Sequence, residues 1–129
     1  MPNATFARRR VLVTGGAGFV GSHVVERLMA QGAEVTIFDN FSTGWRQFVP
    51  PRARLVEGDL LDMSAVSRAL EGCDFVFHLA ANADVKDNLL EPRTCIEQNV
   101  VATQNLLEAM RAAGVREVAF ASTGAVYGE

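Results

Sequence analysis

Short apolar runs alternate with amphipathic segments along this chain. Residues 11–13 are apolar, rich in β-branched side chains and too few for a helix, which predicts a buried strand. Similar runs predict four further strands, at residues 35–38, 54–57, 75–79 and 117–121. Apolar residues at helical spacing predict helices from Phe19 to a stop at Gly32, from a cap at Asp62 or Ser64 through Leu70, and from about Thr94 to Ala113. Because strands and helices alternate with no hairpin signal, we expect an α/β fold, a doubly wound parallel sheet of about five strands in the order 3-2-1-4-5.

Three glycines separate the first predicted strand from the first helix. They are Gly15, Gly18 and Gly21 of the sequence TGGAGFVG, residues 14–21. In this strand-turn-helix context, Gly15 would permit a tight turn, Gly18 would let a pyrophosphate approach the backbone, and Gly21 would let helix and strand pack closely. The free amides at the helix start would face the anion. The motif favours a dinucleotide site of the Rossmann type over a packed turn without a ligand.

Acidic residues follow the second and third predicted strands. Asp39 lies 21 positions after Gly18, close to the spacing of about 20 at which a carboxylate meets the adenosine ribose. A carboxylate there accepts from both ribose hydroxyls and repels a 2′-phosphate, which favours NAD over NADP; the alternative is an aspartate that caps a turn. Arg46 is the nearest positive charge that could reverse this preference. Asp59 could accept from the adenine amino group or cap a turn.

The end of the fourth predicted strand offers two further features. Ala80 and Ala81 form a shelf of small residues that would let a cofactor approach the backbone. His78 ends an apolar strand, a position more typical of a core histidine with satisfied hydrogen bonds than of a catalytic one.

Composition narrows the roles that the chain can have. It has 129 residues, 49% hydrophobic and 21% charged, as expected for one globular domain. A net charge of −3 argues against nucleic acid as a partner, and no apolar stretch approaches the roughly 18 residues needed to span a membrane. The N-terminus has no apolar leader, so we expect a cytoplasmic protein. Cys73 and Cys95 show no spacing typical of a metal site or a disulfide framework.

The chain ends directly after the fifth predicted strand and its turn, at Glu129. A doubly wound sheet of this order normally carries a sixth strand beside the fifth. We therefore expect residues 1–129 to be the N-terminal part of an NAD-binding Rossmann domain, truncated after strand five, with a C-terminal substrate domain absent.

Six blocks, in this order, resemble the extended short-chain dehydrogenases, the NAD-dependent nucleotide-sugar epimerase and dehydratase family. The blocks are TGGAGFVG at 14–21, Asp39-Asn40 with Ser42-Thr43-Gly44, EGDL at 57–60, HLAA at 78–81, Asn99-Val100 and STGAVYG at 122–128. The resemblance covers nearly the whole chain and implies NAD as the cofactor. The cofactor-binding candidates that it and the motif supply are Gly15, Gly18, Phe19, Val20, Asp39, Asn40, Ser42, Thr43, Gly44, Asp59, Leu60, Leu79, Ala80, Ala81, Asn99 and Ser122.

The resemblance also implies a role for each group of these residues. Phe19 and Val20 would contact the pyrophosphate, Asp39 the ribose, and Asp59 with Leu60 the adenine. The stretch at 79–81 would contact the middle of the cofactor. Asn99 would contact the cofactor or the helix around it.

Thr123 lies where the family carries its catalytic Ser or Thr. A hydroxyl there would share a hydrogen bond with the sugar hydroxyl as hydride leaves its carbon for the nicotinamide, helping a tyrosinate to take the proton.

Tyr127 matches the Val-Tyr-Gly turn of the family, so we expect the Tyr-x-x-x-Lys pair beyond Glu129. Gly124-Ala125 stand where dehydratases carry an Asp-Glu pair, which disfavours a dehydratase. Ala83 stands where some galactose epimerases carry a lysine.

The resemblance implies that the chain is the NAD-binding segment of a nucleotide-sugar epimerase, which acts at C4 of a UDP-hexose by transient oxidation. We expect these residues alone to be inactive. Two alternatives stay open: a noncatalytic dinucleotide-binding module or sensor, and a related sugar-nucleotide reductase or decarboxylase. The helix over 94–113 resembles the one through which family members pair as homodimers, although its apolar positions are equally consistent with a core.

Overall fold

The computed structural model describes residues 5–128. The strands are β1 Arg10–Thr14, β2 Glu34–Asp39, β3 Arg54–Glu57, β4 Phe75–His78 and β5 Val118–Phe120. The helices are α1 Phe19–Ala30, α2 Met63–Ala69, α3 Val85–Leu90, α4 Pro92–Cys95 and α5 Ala102–Ala113, with a π-helical stretch Ile96–Val101 before α5 and short 3₁₀ turns at Arg46–Phe48 and Gly124–Tyr127. The five strands of this part of the chain pair in parallel in the order β3-β2-β1-β4-β5, which confirms the predicted topology.

Alternate residues of the central strands face opposite layers of helices. Leu12 and Phe38 belong to a buried cluster that also contains residues of α2 and α5. Val13 and Ile37 belong to a second cluster, which contains residues of α1. Burial on both faces explains why these strands read as nearly continuous apolar runs rather than as alternating ones.

Helix α3 was not expected from the sequence. Asp84 caps it, because its side chain accepts hydrogen bonds from the N–H groups of Lys86 and Asp87 at 2.8 and 3.2 Å. None of the residues in α3 is buried. The helix therefore leaves no core-facing apolar periodicity in the sequence, which is the signal on which the other helices were predicted.

The last predicted helix, which Pro92 and Thr94 open, is less regular than expected. It begins with Pro92 at the first helical position, a place where the missing N–H of proline costs nothing. The residues on either side of the π-helical stretch are themselves helical, so the path continues into α5. Gly114, with φ of 73°, ends α5 at the predicted stop. Two of the predicted strands are also shorter than expected, since β4 stops at His78 and β5 covers only Val118–Phe120.

The parallel strands direct their carboxyl ends to one edge of the sheet. The connection after β1 leads to α1 on one face, whereas the segment after β4 leads to the helices on the other face. A ligand crevice forms where two such connections diverge. None of the helices in the described part of the chain combines the length and apolar character that a membrane span requires.

Candidate functional site

A cleft of about 680 Å³ lies at the carboxyl ends of the strands. Most of the cofactor-binding candidates from the sequence line it: Gly15, Gly18, Asp39, Asn40, Ser42, Thr43, Gly44, Asp59, Leu60, Leu79, Ala80 and Ala81. These residues come from the loops that follow β1, β2, β3 and β4. The fold thus brings four separate sequence blocks to one surface.

The other candidates do not line the cleft. Phe19 and Val20 start α1, with side chains 76% and 60% exposed. Asn99 lies in the π-helical stretch and accepts a hydrogen bond from Asn82, which lines the cleft. Ser122 and Thr123 follow β5 and are exposed.

The cleft also contains residues that sequence reasoning missed. They are Phe38, Gly58, Asn82, Ala83, Asp84, Asp87, Thr94, Gln98 and Ala102. Most of them belong to the segment from the end of β4 to α5. The N-cap pattern at Asp84 was the signal that could have revealed a helix start there.

Close backbone contacts hold the glycine turn together. Gly15 has φ of 70°, and a Cβ on it would lie 2.9 Å from the backbone nitrogen of Ala80. A Cβ on Gly21 would collide with the carbonyl oxygen of Gly15 and lie 2.8 Å from the Cα of Gly16. Gly18 differs, because its φ of −82° and ψ of 178° suit any residue and its Cβ position has only the Gly15 oxygen near it, at 3.3 Å. Gly15 and Gly21 thus serve the packing of the turn, while Gly18 leaves open space above it.

The start of α1 presents free backbone donors. No side chain caps the helix at Gly18, and its first turn holds no acidic residue. The first N–H groups of a helix have no partner inside the helix, and the helix dipole favours negative charge beside them. Since Gly18 lines the cleft, one wall of the cleft suits a phosphate group.

Asp39 ends β2 and is buried, with 8% of the residue exposed. Its Oδ2 accepts a hydrogen bond from the N–H of Ala17 at 3.0 Å, and its Oδ1 accepts from the N–H of Phe41 at 2.8 Å. Each oxygen of an ionised carboxylate can accept a second hydrogen bond. Asp39 therefore braces the glycine turn and the loop after β2 while keeping acceptor capacity for hydroxyl groups in the cleft. The two roles that the sequence offered as alternatives are compatible.

Asp59 also accepts hydrogen bonds through both of its carboxylate oxygens. Its Oδ1 accepts from the N–H of Leu61 at 2.9 Å, and its Oδ2 accepts from the side-chain amide of Asn40 at 3.2 Å. The side chain of Asn105 donates to the carbonyl of Leu60 at 3.0 Å, which ties this loop to α5. The loops after β2 and β3 are thereby joined at the end of the cleft that holds Asp39.

His78 is buried at the end of β4 and hydrogen bonded through both ring nitrogens. Its Nε2 lies 2.9 Å from Oγ1 of Thr103, and its Nδ1 lies 2.7 Å from Oγ1 of Thr14. Thr103 donates its own proton to the carbonyl of Asn99 at 2.6 Å, so it accepts from Nε2–H, and Nδ1 accepts the proton of Thr14. Burial lowers the pKa of His78, in keeping with a neutral ring. His78 is a core histidine with satisfied partners, as the sequence indicated.

The same network positions the loop after β4. The hydroxyl oxygen of Thr14 accepts from the N–H groups of Leu79 and Ala80 at 3.1 and 3.2 Å. Further along, the side chain of Asn99 accepts from the N–H of Asn82 at 2.7 Å and donates to its carbonyl at 3.1 Å. The wall of the cleft between Leu79 and Asn82 is thus fixed to β1 on one side and to the π-helical stretch on the other.

A family model matches residues 11–129, and its description is the NAD dependent epimerase/dehydratase family. The chain belongs to this family. A UDP-glucose 4-epimerase from Corynebacterium glutamicum is 47% identical over 120 residues, which are 93% of this chain and 36% of the relative.

Solved epimerase structures share the fold. UDP-glucose 4-epimerase of Thermus thermophilus, in complex with NAD, is 48% identical with a TM-score of 0.86, over 89% of this chain and 38% of that chain. UDP-glucose 4-epimerase of Thermotoga maritima, with UDP-glucose, is 38% identical with a TM-score of 0.86, again over 89% of this chain and 38% of that chain. This chain therefore spans well under half the length of the proteins that it matches.

Proposed function

We propose that the cleft binds NAD. The observation that carries this proposal is that one cleft joins the uncapped start of α1 at Gly18 to the carboxylate of Asp39. The helix start suits a pyrophosphate, and the carboxylate suits the hydroxyls of the adenosine ribose. Membership of an NAD dependent family and the NAD bound to the Thermus relative support the same ligand.

The other candidate residues extend this assignment along the cofactor. The backbone at Phe19 and Val20 would face the pyrophosphate, Asp59 and Leu60 would contact the adenine, and the stretch at 79–81 would lie under the middle of the molecule. The loop residues around the adenosine end would be Asn40, Ser42, Thr43 and Gly44. Asn99 acts by holding the loop at Asn82, and Ser122 follows β5 at the same edge of the sheet.

For the whole protein we propose a UDP-hexose 4-epimerase, the activity named for the relatives above. When bound, NAD would supply the redox chemistry, as acceptor and donor of a hydride. Thr123 would share a hydrogen bond with the sugar hydroxyl, and its place just beyond β5 is at the edge of the sheet where the cleft lies. We expect the 129 residues on their own to bind the cofactor and not to catalyse epimerisation.

Calorimetric titration with NAD and NADP tests the cofactor assignment. The wild-type chain should bind NAD more tightly than NADP, and Asp39→Ala should weaken NAD binding by about tenfold or more, the equivalent of one hydrogen bond to a charged group. Asp62→Ala is the matched control, because Asp62 also accepts from two backbone N–H groups, at 3.0 and 3.3 Å, but lies outside the cleft lining. A folded wild-type chain that binds neither dinucleotide would refute the proposal.

We also propose that the whole protein forms homodimers through the helical segment after α3. Ile96, Val100 and Leu107 are 55%, 62% and 45% exposed, whereas Leu106 and Met110 of the same segment are buried. The segment therefore has an apolar outer face as well as a core face. Sedimentation velocity of the whole protein over a concentration series should show association, and Val100→Asp should remove it. A monomer at every concentration would count against the proposal. A cytoplasmic location stays a prediction from the sequence, which shows no apolar leader.

A further inference from the structure

Arg46 contacts Glu57 and Phe41, which adjoin residues of the cleft lining in sequence but are not themselves part of it. Its Nη2 donates to both carboxylate oxygens of Glu57, at 2.7 and 2.8 Å. Its guanidinium carbon lies 4.2 Å from the centre of the Phe41 ring, a cation–π contact. The sequence could not show where the charge of Arg46 lies, and these two contacts define its position.

Both partners of Arg46 are attached to the strand end that carries Asp39. Glu57 is paired with Asp39 in the register of β2 and β3, and neighbouring strands lie about 4.8 Å apart. Phe41 donates its N–H to Asp39 and has φ of 57°, a left-handed conformation that is rare for a bulky residue. The guanidinium is therefore held by one residue that pairs with Asp39 across the sheet and by another that lies two positions after Asp39.

We infer that Glu57 helps to set the preference for NAD by occupying Arg46. This inference rests on the proposed function, since it assumes that the ribose lies at Asp39. An arginine near the end of β2 is the group that accommodates the 2′-phosphate of NADP, and a guanidinium fork matches a phosphate as well as a carboxylate. Because both oxygens of Glu57 already accept hydrogen bonds from Nη2 of Arg46, a 2′-phosphate has to compete with Glu57 for the guanidinium.

The exposure of the ion pair sets the size of the effect. The side chains of Arg46 and Glu57 are 64% and 51% exposed. Exposed ion pairs are worth up to about 1 kcal/mol, which corresponds to about fivefold in a dissociation constant. We therefore expect Glu57→Gln to lower the ratio of the NADP to the NAD dissociation constant by about fivefold, mainly through tighter NADP binding.

Three variants separate the role of Arg46 from that of charge alone. Glu117→Gln is the matched control, because Glu117 also accepts from an arginine, Arg9, at 2.6 Å, and both residues precede their strands, at the edge of the sheet opposite the cleft. It removes the same charge as Glu57→Gln and should leave the ratio unchanged. The double variant Arg46→Ala with Glu57→Gln should return the ratio to that of the wild type. All variants are titrated with NAD and NADP by calorimetry, without any activity measurement.

The outcomes distinguish this inference from the proposed function. A ratio that falls in Glu57→Gln and recovers in the double variant supports the inference. An unchanged ratio in Glu57→Gln overturns it, as does a ratio that stays low when Arg46 is also removed, since the charge of Glu57 would then act directly. A wild-type chain that binds neither dinucleotide overturns the proposed function and this inference with it.

Discussion

Alanine at Gly18 and at Gly21 should separate the binding role of the glycine turn from its packing role. At Gly21 the new methyl group would overlap the carbonyl oxygen of Gly15 and approach two further backbone atoms to 2.8 Å. Backbone atoms cannot rotate away, so α1 has to move off the turn. Overpacking of this kind costs about 1–3 kcal/mol, and we expect Gly21→Ala near or above the upper figure.

At Gly18 the same methyl group has little to disturb. The only atom near it would be the Gly15 oxygen at 3.3 Å, and the backbone conformation suits alanine. A small steric cost is offset by the lower entropy of the unfolded chain, which is worth about 0.4–1 kcal/mol, so the net change in stability should be under about 1 kcal/mol. The methyl group would nevertheless stand in the open space where we place the pyrophosphate. We expect NAD binding to weaken by about tenfold or more, the loss of one hydrogen bond to a charged group.

Urea denaturation and calorimetric titration with NAD measure the two quantities on the same samples. Gly124→Ala is a suitable control, because no atom of the described residues lies within 4 Å of its Cβ position. The reasoning is refuted if Gly18→Ala is destabilised as strongly as Gly21→Ala. It is equally refuted if Gly18→Ala binds NAD as tightly as the wild type.

Three further predictions concern the polar network behind the cleft. The pKa of His78 is lowered in the folded state, so the unfolded chain binds more protons near pH 6. The free energy of unfolding should therefore fall as pH drops below about 6.5, by up to about 1.4 kcal/mol per pH unit. In urea denaturation, His78→Gln should flatten this slope. Thr14→Val removes a hydroxyl that accepts from two backbone N–H groups and donates to His78. By the same method it should lower the free energy of unfolding by about 2–4 kcal/mol. A decrease under about 0.5 kcal/mol would contradict the network. Asn99→Ala frees the loop at Asn82, and faster amide hydrogen exchange there, without change in the exchange of β1, is the expected result.

The sheet and the glycine turn were predictable because their signals are local. A β-branched run followed by TGGAGFVG places a strand, a turn and a helix in sequence, and the alternation of elements leaves few topologies for a parallel sheet. The helix cap at Asp62 and the stop at Gly114 are equally local signals. The described fold agrees with these predictions within a few residues at each boundary.

The features that were missed depend on contacts between distant residues or on exposed segments. The ring of His78 meets Thr103 across 25 positions, and the spacing of the two residues gives no hint that they meet. Arg46 could be placed only when the register of β2 and β3 brought Glu57 beside Asp39. Helix α3 buries none of its residues, so periodicity could not reveal it.

Amide-resolved NMR titration of the 129-residue chain with NAD tests the central claim most directly. We expect saturable shifts in the N–H signals at Gly18, Phe19 and Val20, together with those around Asp39 and in the stretch at 79–81. NADP should produce these shifts only at higher concentration. Binding of NAD that moves signals elsewhere and leaves the start of α1 and the end of β2 unchanged would contradict the assignment of this cleft.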